Sequence, residues 1–376
     1  MAFTPMTVGR HPGRWRRFST PRTILAANGL SEVEAVIAAA EDAARNGAWV
    51  LGFLSYEAAP ALDPALTTRP AGTLPLAWFA VFDHAEEVNR PPSPAPWPEI
   101  GRWSGLSEAA YAEAFVAIMA HIRAGDTYQV NHTVRMRTTY SGDPMALFAA
   151  LAHGQPTPYA CYLHTGRFAL CSVSPELFVQ RTGDRLRTEP MKGTAPRSAD
   201  PDADRKRARD LRASAKEIAE NVMIVDLLRN DLARVSRAGT VRVDELCTVQ
   251  TLPTLHTMTS AVSSRAIDRL DLVGLWRALF PCGSVTGAPK AATMGIIAAV
   301  ENTPRGAYCG ALGVLAPGGD LTFSVPIRTA VVDTATGTLE YGVGSGITHA
   351  SAAALEFAEL ITKTRVLGAL APGGQP

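Results

Sequence analysis

AYCGALGVLAPGGDLTFSVPIRTAVVDTATGTLEYGV, residues 307–343, reads as three β-strands in a row, at 307–316, 322–333 and 337–343, with no helix between them. A helix follows only at about 351–367. Strict β-α alternation would put a helix after each strand. The same grouping recurs upstream. Strands near 127–138, 158–173, 177–189 and 239–262 sit among helices at 107–123, 144–152, 205–232, 271–279 and 288–301. Adjacent runs of strands predict an α+β fold over a doubly wound parallel sheet. Nearer the N-terminus, EVEAVIAAAEDAARN (32–46) reads as an Ala-rich helix, and AWVLGFLSY (48–56) and LAWFAVF (76–82) as buried strands. NRPPSPAPWPEIGRWSG holds five prolines between 91 and 98, the clearest linker in the chain.

The 376 residues are 47% hydrophobic and 19% charged, as expected of a globular chain. With 36 basic and 35 acidic residues the net charge is +1, which argues against nucleic acid or a membrane surface as main partner. No apolar run reaches the length of a membrane span. The arginines of MAFTPMTVGRHPGRWRRFST lead into no apolar segment of a secretory signal. Five cysteines without C-x-x-C spacing fit reduced thiols in the cytoplasm, not a disulfide frame or a zinc site.

Several stretches carry candidate chemistry. In TEPMKGTAPR (188–197), Lys192 stands on a bend bracketed by Pro190 and Pro196. An amine used as a nucleophile must be held still and partly dried to lose its proton. Glu217 and Glu220 in KEIAENVMIVDLLRND share a helix face at i and i+3, as do Glu356 and Glu359 in LEFAELITK. Acids set in apolar helix point inward only if something offsets their desolvation. A hard divalent cation with oxygen ligands would, and Mg²⁺ suits that role. FPCGSVTGAPKAATMGIIAAV runs from a Gly/Ser/Thr loop into a helix, but it lacks the G-K-[ST] of a P-loop. That loop, and the turn EYGVGSGITHAS before the last helix, could offer backbone N–H groups to a carboxylate. Arg328, on the predicted strand VPIRTAVV, could clamp one in a bidentate fork.

GDTYQVN, SVSPELF, PMKGTAPR, AENVMIVDLLRND, TLHTMTS, GSVTGAPK, CGALG, IRTA and GVGSGI follow one another in the order of the chorismate-utilising enzymes, which the chain resembles densely over about 105–368. That family includes anthranilate synthase component I, aminodeoxychorismate synthase component I, and the isochorismate and salicylate synthases. The resemblance implies a large two-layer antiparallel β-sandwich with helices outside. It further implies residues 1–90 as the N-terminal part of the sandwich, a linker at 91–104 and a chorismate-binding catalytic region at 105–370, the whole being one composite domain.

Carried over by position, Glu217, Glu220, Glu356 and Glu359 resemble an acidic ring around Mg²⁺, with Glu220 and Glu359 as direct ligands. Arg328 resembles the substrate-carboxylate arginine, with Tyr308 beside it. Gly342 and Gly344 would offer backbone N–H groups, and Gly193, Thr194 and Ser284 would face substrate. His256 matches an active-site histidine and Glu176 the general acid.

Lys192 stands where anthranilate synthases typically carry alanine and aminodeoxychorismate synthases lysine. That lysine implies a double displacement, in which the amine attacks C2 of chorismate and ammonia then attacks C4. Gln129 stands where isochorismate and salicylate synthases carry a water-activating lysine, so ammonia is the implied nucleophile. A separate glutamine amidotransferase would supply it. His132 departs from the usual leucine and is assigned no role.

Overall fold

All strand pairs among the described residues are antiparallel, and they build two sheets. The computed structural model describes residues 2–8, 11–89, 100–252 and 255–370. The proline run at 91–98 therefore lies outside the described residues.

In the first sheet, the strand Gln129–Thr139 pairs with Thr338–Thr348 over its whole length, from Thr338 opposite Thr139 to Thr348 opposite Gln129. Next in order come Thr329–Asp333, Phe168–Ser174 and Tyr159–His164, then the N-terminal strands Ala2–Val8 and His11–Phe18. The second sheet runs from Met191–Pro196 through Leu255–Arg265, Arg185–Glu189, Leu177–Thr182, Leu321–Ser324 and Ala311–Leu315 to Trp49–Leu54, Ala77–Phe82 and Thr23–Ala27. The first ninety residues thus supply strands to both sheets. Their Val33, Ile37 and Phe79 share one apolar core with Phe178, Trp276 and Phe323. The Trp276 ring stacks on Phe178 and meets Phe323 edge-on, with centroids 5.5 and 5.0 Å away. The helices lie against these sheets, giving the α+β sandwich the sequence predicts. Among the described residues no helix is long and apolar enough to cross a membrane.

Four local readings of the sequence are corrected. The single helix expected at 205–232 is two, Pro201–Ala213 and Ala215–Ala233. Ser214 between them is extended, and its hydroxyl accepts the Glu217 N–H as a cap, a bond that competes with helix continuation. The strand expected at 322–333 is two strands in different sheets, so Arg328 stands in a crossover and not on a strand. The strand expected to end at 343 runs to Thr348 and takes in the glycines read as a turn. Lys192 lies on the strand Met191–Pro196, whose register slips between Met191 and Thr194. That bulge puts Gly193 at φ +85°, and a Cβ there would come within 2.7 Å of Glu217 Oε2.

Candidate active site

Two crossovers between the sheets define the cleft. Phe168–Ser174 leaves the first sheet and, after Pro175 and Glu176, becomes Leu177–Thr182 of the second. Leu321–Ser324 makes the reverse passage through Val325–Arg328. The crossovers are bonded to each other. Ser174 Oγ donates to Val325 O (2.5 Å), Val325 N to Glu176 O (3.1 Å) and Val173 N to Arg328 O (3.1 Å). Backbone groups are thereby satisfied while Glu176 and Arg328 both line one cleft. Arg328 holds a left-handed φ of +50°, and its buried Nη1 has no partner among the described residues. Burial lowers its guanidinium to about 10, still charged at neutral pH.

Burial also pushes the Glu176 carboxyl up to about 7, against the Ser284 hydroxyl, which donates to Oε1 at 2.5 Å, and the charge of Lys192. Glu176 is therefore a proton donor near neutrality. Lys192 enters the same cleft from its bulged strand. Burial lowers its amine, against the opposing pull of Glu220. Among the described residues no hydrogen bond or ion pair holds its Nζ, so little beyond distant carboxylates favours the ammonium. A Cβ on Gly346 would sit 3.0 Å from Lys192 Nζ and 3.3 Å from Gln129 Nε2. Gln129 is fully buried just behind the cleft lining, and neither polar atom of its amide has a partner among the described residues.

The glycines make the floor. Pairing with Thr329–Asp333 ends at Ala330 opposite Tyr341, so from Gly342 onward the strand keeps a neighbour on one side only. Its other edge can meet a ligand. A Cβ on Gly342 would lie 2.4 Å from Tyr308 Cγ, so the bare backbone is what admits that ring.

Glu217, Glu220 and Glu359 also line the cleft, joined by Lys216 and Lys363. Lys216 Nζ bonds Glu356 at 2.8 Å and stands 3.8 Å from Glu220. Lys363 Nζ bonds Glu359 and Gly344 O, each at 2.8 Å. Burial raises Glu217 and takes Glu220 to about 7. Burial acts likewise on Glu359, but Lys363 and other cations bring it below its ordinary value. Glu356 is buried and does not line the cleft, and its Oε2 has no partner among the described residues. Among the described residues no three Asp, Glu, His or Cys side chains converge on a metal position as they stand. The donor set nevertheless fits a hard cation: it is all oxygen, four carboxylates of which Glu220 and Glu356 are buried and Glu217 and Glu359 partly so.

Two further sequence expectations are not met in the cleft. His256 does not line it: its Nε2 meets Asp204 at 2.9 Å and its Nδ1 meets Thr251 at 3.0 Å. It sits opposite Ala195 in the ladder, so it pins the helix Pro201–Ala213 to the strand that carries Lys192. The GSVTGAPK loop is no open anion cradle either. Gly287 pairs with Val130, and Lys290 is spent on Asp231 at 2.9 Å. Only Ser284 and Val285 of that loop reach the cleft. Sequence reasoning missed Lys216, Lys363 and Asn131, which also line it. Lys363 had a signal, standing four residues after Glu359; Lys216 and Asn131 had none beyond flanking named residues.

The profile of the family described as chorismate binding enzyme matches residues 9–368. The chain is 37% identical over 305 residues to aminodeoxychorismate synthase component 1 of Salmonella typhimurium, covering 76% of this chain and 67% of that protein. It is 35% identical over 367 residues to anthranilate synthase component 1 of Streptomyces coelicolor, covering 85% and 71%. The solved structure of anthranilate synthase component I from Streptococcus pneumoniae superposes with a TM-score of 0.80 at 21% identity, over 97% of this chain and 94% of that one.

The raised Glu176 value gives a test by pH. The folded state keeps a proton between the ordinary 4.5 and about 7 that the unfolded chain has lost. Stability from this group therefore falls as pH rises through that window. Glu176→Gln removes the buried charge at equal size. Its stability relative to the unmutated protein should rise between pH 5 and pH 8 by up to about 3 kcal/mol in urea unfolding. An equal difference at both pH values would contradict a buried, raised Glu176.

Proposed function

Because this chain belongs to the chorismate binding enzyme family, we propose that it is an aminodeoxychorismate synthase of the component 1 type, converting chorismate and ammonia to 4-amino-4-deoxychorismate. The observation that carries this reading is Lys192, a buried amine without an ion-pair partner among the described residues, in the same cleft as Glu176, whose carboxyl is raised to about 7. An anthranilate synthase has no use for such a nucleophile, although the Streptomyces coelicolor relative keeps that second reading alive.

In the proposed reaction the neutral Lys192 amine forms a bond to C2 of chorismate. The ring π electrons shift, the C4–O bond breaks, and the hydroxyl leaves as water with the Glu176 proton. Ammonia then bonds to C4, the π electrons shift back, the C2–N bond breaks to free Lys192 as the neutral amine, and the new C4 ammonium returns a proton to the Glu176 carboxylate. The sum is chorismate plus ammonia giving 4-amino-4-deoxychorismate plus water. Arg328, with its unpartnered Nη1, would hold a substrate carboxylate. The free edge of the glycine strand would hold another part of the ring substituents. Gln129 cannot act as a base toward water, which favours ammonia as the incoming nucleophile.

Glu217, Glu220, Glu356 and Glu359 would hold Mg²⁺, with Lys216 moving aside. A bound Mg²⁺ would supply positive charge to substrate oxygens. Ammonia would come from a separate glutamine amidotransferase; the component 1 name of the relatives implies for them only that a second subunit exists. The product would feed 4-aminobenzoate and folate synthesis in the cytoplasm.

Two experiments test these assignments. Lys192→Ala should lower 4-amino-4-deoxychorismate formation by about a hundredfold or more while chorismate still binds. Formation at nearly the original rate would exclude the covalent route. Glu220→Gln and Glu359→Gln should each weaken Mg²⁺ binding about tenfold or more by titration calorimetry. Unchanged affinity in both would remove them from the metal site.

A further inference from the structure

We propose that Arg135 is a positioning residue for the chorismate cleft: its guanidinium, stacked on the Tyr308 ring, holds that ring in place as a wall of the site. The inference rests on the reading that this cleft binds chorismate.

Tyr308 and Gly342 line the substrate cleft on one side and a second cavity on the other. That second cavity is walled further by Glu57, Leu74, Phe168 and Glu340. The ring is thus a partition, and whatever fixes its angle fixes the shape of the cleft. Its backbone is already set. Glu57 accepts the N–H groups of Arg305 (2.6 Å) and Gly306 (2.9 Å), Gly310 N bonds Ala307 O at 3.0 Å, and Cys309 holds φ +64°. What remains free is rotation of the ring. Gly342 leaves room beneath it, and Arg135 stands opposite Gly342 in the ladder with Cζ 4.6 Å from the ring centroid.

Arg135 is held to this task. Its Nη2 donates to Thr133 Oγ1 at 2.6 Å and its Nη1 to Val134 O at 3.1 Å, while its side chain is 2% exposed. Its carboxylate neighbour Glu301 is 3.7 Å away and is already engaged by Arg305, at 2.6 and 3.0 Å. Glu301 and Arg305 would close as a pair without a second guanidinium. A second buried cation beside a matched pair costs stability unless another group receives it. The π face of Tyr308 is that group. The buried Arg135 Nε has no hydrogen-bond partner among the described residues, so no hydrogen bond explains the placement of that end of the guanidinium.

The test is a double-mutant cycle read by chorismate titration calorimetry, with KM, kcat and melting temperature alongside. Arg135→Met should weaken chorismate binding about tenfold and raise KM in parallel, with kcat changed far less. Arg135→Lys, which keeps the charge, should recover part of that loss. In the Tyr308→Leu background, Arg135→Met should have no further effect, because the ring it positions is gone. Should Arg135→Met fail to fold, Arg135→Lys carries the cycle: weaker binding than the unmutated protein with Tyr308 present, and no change in the Tyr308→Leu background. Unmutated affinity in the Arg135 variants, or losses that multiply in the double variants, would overturn the inference. If the unmutated protein itself does not bind chorismate, the reading of the cleft fails instead.

Discussion

The bonds that tie the two sheet crossovers together, Ser174 Oγ to Val325 O and Val325 N to Glu176 O, are the constraint on which the rest depends. A chain that switches between sheets must leave both ladders, and its backbone groups lose their partners there. Here the two switches satisfy each other. The freed side chains, Glu176 and Arg328, then have nowhere to go but the space between the sheets. The strand that bears Lys192 and the glycine strand complete the walls of that space.

Charge in the cleft is set by a contest between burial and pairing. Burial alone would neutralise every acid and amine. Glu359 escapes because Lys363 lies against it; Glu176 and Glu220 do not escape and sit near 7. Burial lowers Lys192, and the upward pull of Glu220, which does not bond it, leaves that direction unchanged. The outcome is an acid that still holds its proton beside an amine inclined to lose its own. Behind this layer, Glu301, Arg305 and Arg135 form a second charged group that reaches the cleft wall through the Tyr308 ring and through the Arg305 bonds to Asn131 O and Val285 O.

Much of this was legible in the sequence. Successive strands at 307–343 exclude β-α alternation, and the paired glutamates declare a shared face by their spacing alone. Placement across the fold was not legible. Nothing local marks Val325–Arg328 as a crossover, because VPIRTAVV has the composition of an unbroken strand. The glycines of GVGSGI read as a turn, because glycine weakens an isolated strand. Only the pairing with Gln129–Thr139 shows why they stay extended. His256 matched by position, yet Asp204 and Thr251, from other segments, occupy both its nitrogens. Lys216 acts through Glu356, 140 residues away, a distance no spacing rule spans.

The central claim is that this cleft delivers nitrogen to C4 of chorismate. The most direct measurement is mass-spectrometric and chromatographic identification of the product formed by the unmutated protein with chorismate, ammonium salt and Mg²⁺. The account predicts 4-amino-4-deoxychorismate, which an added aminodeoxychorismate lyase turns into 4-aminobenzoate. Anthranilate or isochorismate as the main product would contradict it.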